Sequence, residues 1–111
     1  MTDRLVVILS TGEEAKARTG AMYAVNALKH GWMEDVKLIV FGPAQDLLIE
    51  GDELGALVRE FISMGEPAVA CRVFAERDAN DDALRGLGLD VEYVGPLISK
   101  HIRDGYVPMV W

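Results

Sequence analysis

Arg4 to Ser10 reads RLVVILS, and its unbroken stretch from Leu5 to Leu9 contains no polar side chain. A strand with one wet face alternates apolar and polar residues. A strand without alternation has to be covered on both faces. The run therefore predicts a central strand inside an α/β fold, with helices above and below it. Further strand-type segments follow at Val36–Phe41, at Ala68–Phe74 after Pro67, and at Asp90–Val94. The last extended segment, Tyr106–Trp111, contains Pro108 and belongs at a sheet edge, because proline cannot donate to a ladder.

Helical patterns separate these segments. Thr11 and Glu14 have the spacing of a capping box, which predicts a helix over about Glu13–His30. Ala17, Ala21, Ala24, Val25 and Leu28 form its apolar stripe, and Gly31 sits where a left-handed helix-ending residue is expected. A short helical piece, AQDLLIEG, precedes a stronger one in which Leu54, Leu57, Val58, Phe61 and Ile62 share a face before Gly65. The acidic segment Glu76–Gly86 reads as one thin helix anchored by Leu84 and Leu87. Pro96 suits the first turn of a final helix, Leu97–Arg103. Regular alternation of strand and helix gives parallel strands with right-handed crossovers. The expected architecture is a single domain over residues 1–111, a three-layer α/β/α sandwich around a five-stranded, mostly parallel sheet.

Composition narrows the functional classes. Eleven basic residues against 18 acidic ones give a net charge of -7 without a basic cluster. Nucleic acid is not an expected partner, since phosphate binding demands a basic face. The longest apolar runs fall far short of the roughly 18 residues of a membrane span, so no membrane insertion is expected. The first residues lack the order of a signal peptide, and a single cysteine cannot form an intramolecular disulfide. A reducing, cytoplasmic setting is expected.

That cysteine, Cys71, lies where the third strand meets a polar helical segment, the edge where open α/β sheets build their sites. Five short strands, a small-residue first helix, one cysteine leaving the third strand and Gly95 at the end of the fourth resemble the DsrE/DsrF-like family of small α/β proteins. The resemblance spans nearly the whole chain. It implies a parallel five-stranded sheet and assembly into homo-oligomers such as trimers or hexamers. In members with assigned activity it also implies sulfur relay through a cysteine persulfide. Only Cys71 carries over, as the expected sulfur carrier, with donor and acceptor proteins as partners. The chain departs from the relay members in following its cysteine with Glu76, Asp78, Asp81 and Asp82, carboxylates that disfavour a thiolate nearby.

Other chemistries fit the residues less well. A Cys/His nucleophile would need His101 brought to Cys71, whereas His30 is accounted for as a charge at a helix C-terminus. Cys71 and the two histidines are too dispersed for zinc, and the acidic run lacks EF-hand spacing, so no metal and no cofactor are expected. The turn Ser10-Thr11-Gly12 lies where a phosphate could bind but matches neither glycine-rich phosphate motif, and Glu13 and Glu14 follow it. The expected site gathers Ser10, Thr11, Gly12, Arg72, Gly95 and His101 around Cys71 as a persulfide carrier. The opposing expectation is a non-catalytic small-molecule-binding or assembly module in which Cys71 is structural. Trp32, Met33, Tyr106 and Trp111 would line a pocket or a subunit contact.

Overall fold

The chain, described here over residues 3–111 by a computed structural model, is built outward from its first strand. Strand β1 (Arg4–Leu9) is buried from Leu5 onward. On one side it pairs in parallel with β2 (Asp35–Val40), and on the other with β5 (Val107–Val110). With β3 (Ala68–Cys71) and β4 (Asp90–Glu92) the sheet has the order β4-β3-β2-β1-β5, every neighbour parallel. This is the expected α/β/α sandwich.

Crossover handedness divides the helices between its faces. The chain steps from β1 to β4 in one direction across the sheet, so right-handed connections put the intervening helices on one side. Among them are α1 (Glu14–Lys29), α2 (Ala44–Glu50), α3 (Asp52–Ser63) and α5 (Asp81–Gly86). Their buried residues, among them Ala21, Leu48, Phe61 and Leu84, pack with Val7, Leu38 and Ala70 in the larger core. The return from β4 to β5 runs the other way, so α6 (Val94–Arg103) lies on the opposite face. There Val94, Leu97 and Ile98 cover Val6, Ile8, Ile39 and Val69.

A glycine beside the small-residue stripe of α1 admits the chain's last residue. A Cβ placed on Gly20 would come within 2.5 Å of Trp111 Cγ and 2.7 Å of Leu9 Cδ2. Trp111 is thus folded back against α1 and packs on the larger core. It does not stand free at the edge. The exposed apolar residues of β5 are instead Val107 and Val110. Pro108 stands opposite Val6, and the Trp111 N–H two residues beyond Met109 donates inward to Ile8 O at 2.8 Å. Alternation then turns the proline nitrogen to the free side, where no ladder donor is lost.

Three local expectations are corrected. The capping box does not form: Thr11 Oγ1 accepts from the Glu13 N–H at 3.0 Å, Glu13 holds the N-cap position, and α1 starts at Glu14. The third strand stops at Cys71, because its ladders stop at Val40↔Ala70 and Cys71↔Glu92 and a longer strand would have no partner. Arg72, Val73 and Phe74 instead open helix α4 (Arg72–Arg77). The acidic segment is two helices, since α4 ends before α5 begins. Ala79, at φ 56°, donates to Glu76 O, and Asn80 donates to Ala75 O at 2.8 Å. This is a Schellman ending with alanine at the left-handed position usually held by glycine. Gly31 does take the left-handed conformation expected of it, at φ 66°.

The left-handed region costs an L-residue roughly 1–2 kcal/mol, offset in part by the entropy glycine loses on folding. Ala79→Gly is expected to stabilise the protein by about 0.5–1 kcal/mol in urea denaturation.

Candidate functional site

Adjacent strands whose connections leave for opposite faces open a crevice outside their carboxyl ends. In this sheet the pair is β3 and β4: the chain leaving β3 ends in α5 on one face, and the chain leaving β4 enters α6 on the other. A crevice of about 390 Å³ lies there, lined by Phe41, Cys71, Val73, Phe74, Tyr93, Val94, Gly95 and Pro96. Its side chains are hydrophobic or aromatic apart from the Cys71 thiol and the Tyr93 hydroxyl. Phe41 and Phe74 meet edge to face with centroids 5.7 Å apart, and Val73 and Tyr93 are each 54% exposed at the rim.

Cys71 is only 4% exposed. It closes β3 and serves as the N-cap residue of α4. Its backbone has run past the end of the β2 ladder, and a buried side chain replaces the missing neighbour. Gln45, from the first turn of α2, is 1% exposed. Its Oε1 accepts from the Cys71 N–H at 3.1 Å and the Gly42 N–H at 3.2 Å, while its Nε2 donates to the Cys71 carbonyl at 3.2 Å. Every hydrogen-bonding group that the strand end leaves open is satisfied by one amide.

Of the six residues expected around Cys71, the structure brings only Gly95 into the crevice. Ser10, Thr11 and Gly12 share the carboxyl edge of the sheet but lie at β1. There the Ser10 and Thr11 N–H groups donate to Trp111 O at 2.8 and 3.1 Å, and Gly12 abuts Pro43. The strand order separates them, since β2 stands between β1 and β3. Arg72 lies outside the lining, with its guanidinium 5.2 Å from the Tyr93 ring centroid and its Nε 2.7 Å from Glu76. The acidic run is turned to arginines: Glu76 to Arg72, Asp78 to Arg77 and Asp81 to Arg85. None of these carboxylates lines the crevice.

His101 belongs to a different place. Two turns into α6, it borders a smaller hollow of about 150 Å³ with Lys37, Val69, Asp90, Glu92 and Leu97, and its ring lies 5.0 Å from that of Tyr106. Around this stack runs a polar network that sequence reasoning did not find. The Tyr106 hydroxyl donates to Asp35, and Lys37 Nζ sits 3.4 Å from Asp35 and 3.2 Å from Glu66. Asp35 and Lys37 share one face of β2 with Ile39, so the period of two was a usable signal. Burial raises the Asp35 carboxyl pKa, but the Tyr106 hydrogen bond and Lys37 outweigh it and leave the value below the ordinary one. Burial and the charges of Lys37 and Lys100 lower the His101 pKa. Among the described residues, no group of three or more His, Cys, Asp or Glu side chains comes together to hold a metal ion. None of the helices there is long and apolar enough to cross a membrane.

No protein-family model matches the chain, and no curated protein matches it in sequence. In structure it is similar to a conserved protein of unknown function from Bacteroides thetaiotaomicron. The TM-score is 0.89 at 22% identity, over 98% of this chain and 95% of that one. At that identity the likeness shows the fold alone.

Gln45→Leu would leave the Cys71 N–H, the Cys71 carbonyl and the Gly42 N–H without their partner. A buried unsatisfied group costs about 1–3 kcal/mol, and relaxation around three of them gives an expected loss of about 3 kcal/mol or more in urea denaturation. The His101 contribution has a defined sign. Its folded pKa lies below the unfolded value of about 6.5, so the unfolded chain binds the proton first and stability falls as pH drops below that value. His101→Gln is expected to reduce this loss in melting curves recorded from pH 7.5 to 5.

Proposed function

We propose that this chain is a non-covalent binding module whose working surface is the crevice at Cys71. The observation that carries this reading is a concavity of about 390 Å³ with hydrophobic walls, placed where the strand connections diverge. Its volume falls within the range of small-molecule sites, roughly 300–1,000 Å³. Cys71 forms part of its floor and is packed with Val69, Val94 and Ile39, so the thiol serves as a small apolar surface. The free edge of β5, with Val107 and Val110 exposed, supports a second role in assembly, as an edge contact of a homo-oligomer.

A second reading is sulfur relay of the DsrE/DsrF type. One observation favours it: Cys71 is among the residues that line the crevice. In that chemistry the Cys71 thiolate attacks the terminal sulfur of a donor persulfide, releases the donor thiol, and later yields the sulfur to an acceptor thiol. A cytoplasmic donor and acceptor protein would be the partners.

Whole-protein mass spectrometry after incubation with a small-molecule persulfide separates the two readings. For a non-covalent module, the native protein is expected to gain no sulfur, and Cys71 is expected to react with iodoacetamide only after unfolding. A reductant-sensitive gain of about 32 Da, present in the native wild type and absent from Cys71→Ser, would establish relay instead.

A further inference from the structure

Two arginines stack on rings that line the crevice. Arg72 lies over Tyr93, with Cζ 5.2 Å from the ring centroid, and Arg77 lies over Phe74 at 4.4 Å. Both rings line the crevice, so each long cationic side chain rests on the aromatic wall that it borders. Each arginine bonds its acidic neighbour through Nε, Arg72 with Glu76 at 2.7 Å and Arg77 with Asp78 at 3.4 Å. The terminal amino groups, four N–H donors on each guanidinium, have no hydrogen-bonded acceptor among the described residues. The flanking ion pairs are exposed and hold little free energy in water, so a better acceptor can displace the carboxylates.

Two guanidiniums beside one apolar cavity run against the character of the chain, whose net charge is -7. A field of that sign repels anions from the surface at large. An anion drawn here must be drawn by local donors.

We infer that the crevice takes a small amphiphile. Its aryl or acyl body sits among Phe41, Phe74 and Tyr93, and its single anionic head, a carboxylate or sulfonate, is held at the mouth by Arg72 and Arg77. This rests on the reading of the crevice as a binding site and adds the class of ligand. The apolar body supplies the burial, and the guanidiniums supply discrimination, since a charge-assisted hydrogen bond is shorter and stronger than a neutral one. Arginine suits both tasks, because it stacks on an aromatic face while offering a planar fork to an oxyanion.

A matched pair of fluorescent probes tests it: 8-anilinonaphthalene-1-sulfonate, and N-phenyl-1-naphthylamine, which has the same aryl body without the sulfonate. Titrations are run on the wild type, on Arg72→Gln/Arg77→Gln and on Val73→Asp, with folding verified by circular dichroism. The sulfonate is expected to bind the wild type at least about fivefold tighter than the neutral probe. The double variant is expected to abolish that advantage, so that the two probes bind it alike, and added salt to shrink the advantage in the wild type. Val73→Asp at the rim is expected to weaken both probes. Equal binding of the two probes, or an advantage that survives in the double variant, overturns the anion specificity and leaves the binding reading standing. Failure of both probes to bind, or binding unaffected by Val73→Asp, overturns the two together.

Discussion

Coverage of the sheet is the constraint on which everything else depends. β1 has no polar residue between Leu5 and Leu9, so both of its faces must be dry. Right-handed crossovers deliver α1, α2, α3 and α5 to one face and leave α6, with Phe74 of α4, to cover the other. One full helix and a few side chains cannot shield five strands. The face under α6 is therefore dry at its centre and open toward the carboxyl ends of β3 and β4, where the apolar crevice lies. The feature with most functional promise is the residue of an uneven distribution of helices.

A buried amide makes that opening possible. β3 outruns the β2 ladder by one residue, and a strand end deprived of its neighbour would expose unpaired groups in an apolar setting. Gln45 supplies the missing donor and acceptor from α2 and fixes the backbone of Cys71. The chain can then turn directly into α4, which places Val73 and Phe74 on the crevice and Arg72 and Arg77 beside its rings. At the other end of the sheet, Tyr106, Asp35, Lys37 and Glu66 join β2 to the entry of β5. They satisfy charges on a strand face that α6 reaches with His101.

Where sequence reasoning failed, the competing interaction can be named. The segment after Cys71 has strand-type residues in Val73 and Phe74, but β-propensity needs a partner strand, and the ladder with β4 ends at Glu92. The acidic segment was continuous in pattern yet breaks at Ala79, because a Schellman ending was built without its usual glycine. Ser10, Thr11 and Gly12 share a sheet edge with Cys71 but not a neighbourhood. That edge is five strands wide, and adjacency along it follows strand order. Gln45 gave no signal at all, since a glutamine in a short helix reads as solvent-facing.

What the sequence by itself determined was the class of fold: uninterrupted apolar strands alternating with amphipathic helices leave a parallel sheet between two helical layers as the way to bury them. It also placed the only cysteine at a strand end, since local pattern and connectivity are properties of neighbouring residues. Tertiary structure alone decided what surrounds that cysteine. Phe41, Tyr93 and Gln45 lie 30, 22 and 26 positions from Cys71, and His101 and Ser10, 30 and 61 positions away, go elsewhere. Periodicity records which side of an element is buried, but not which distant element buries it. That is set by strand order and crossover direction, which bring together residues with no local relation.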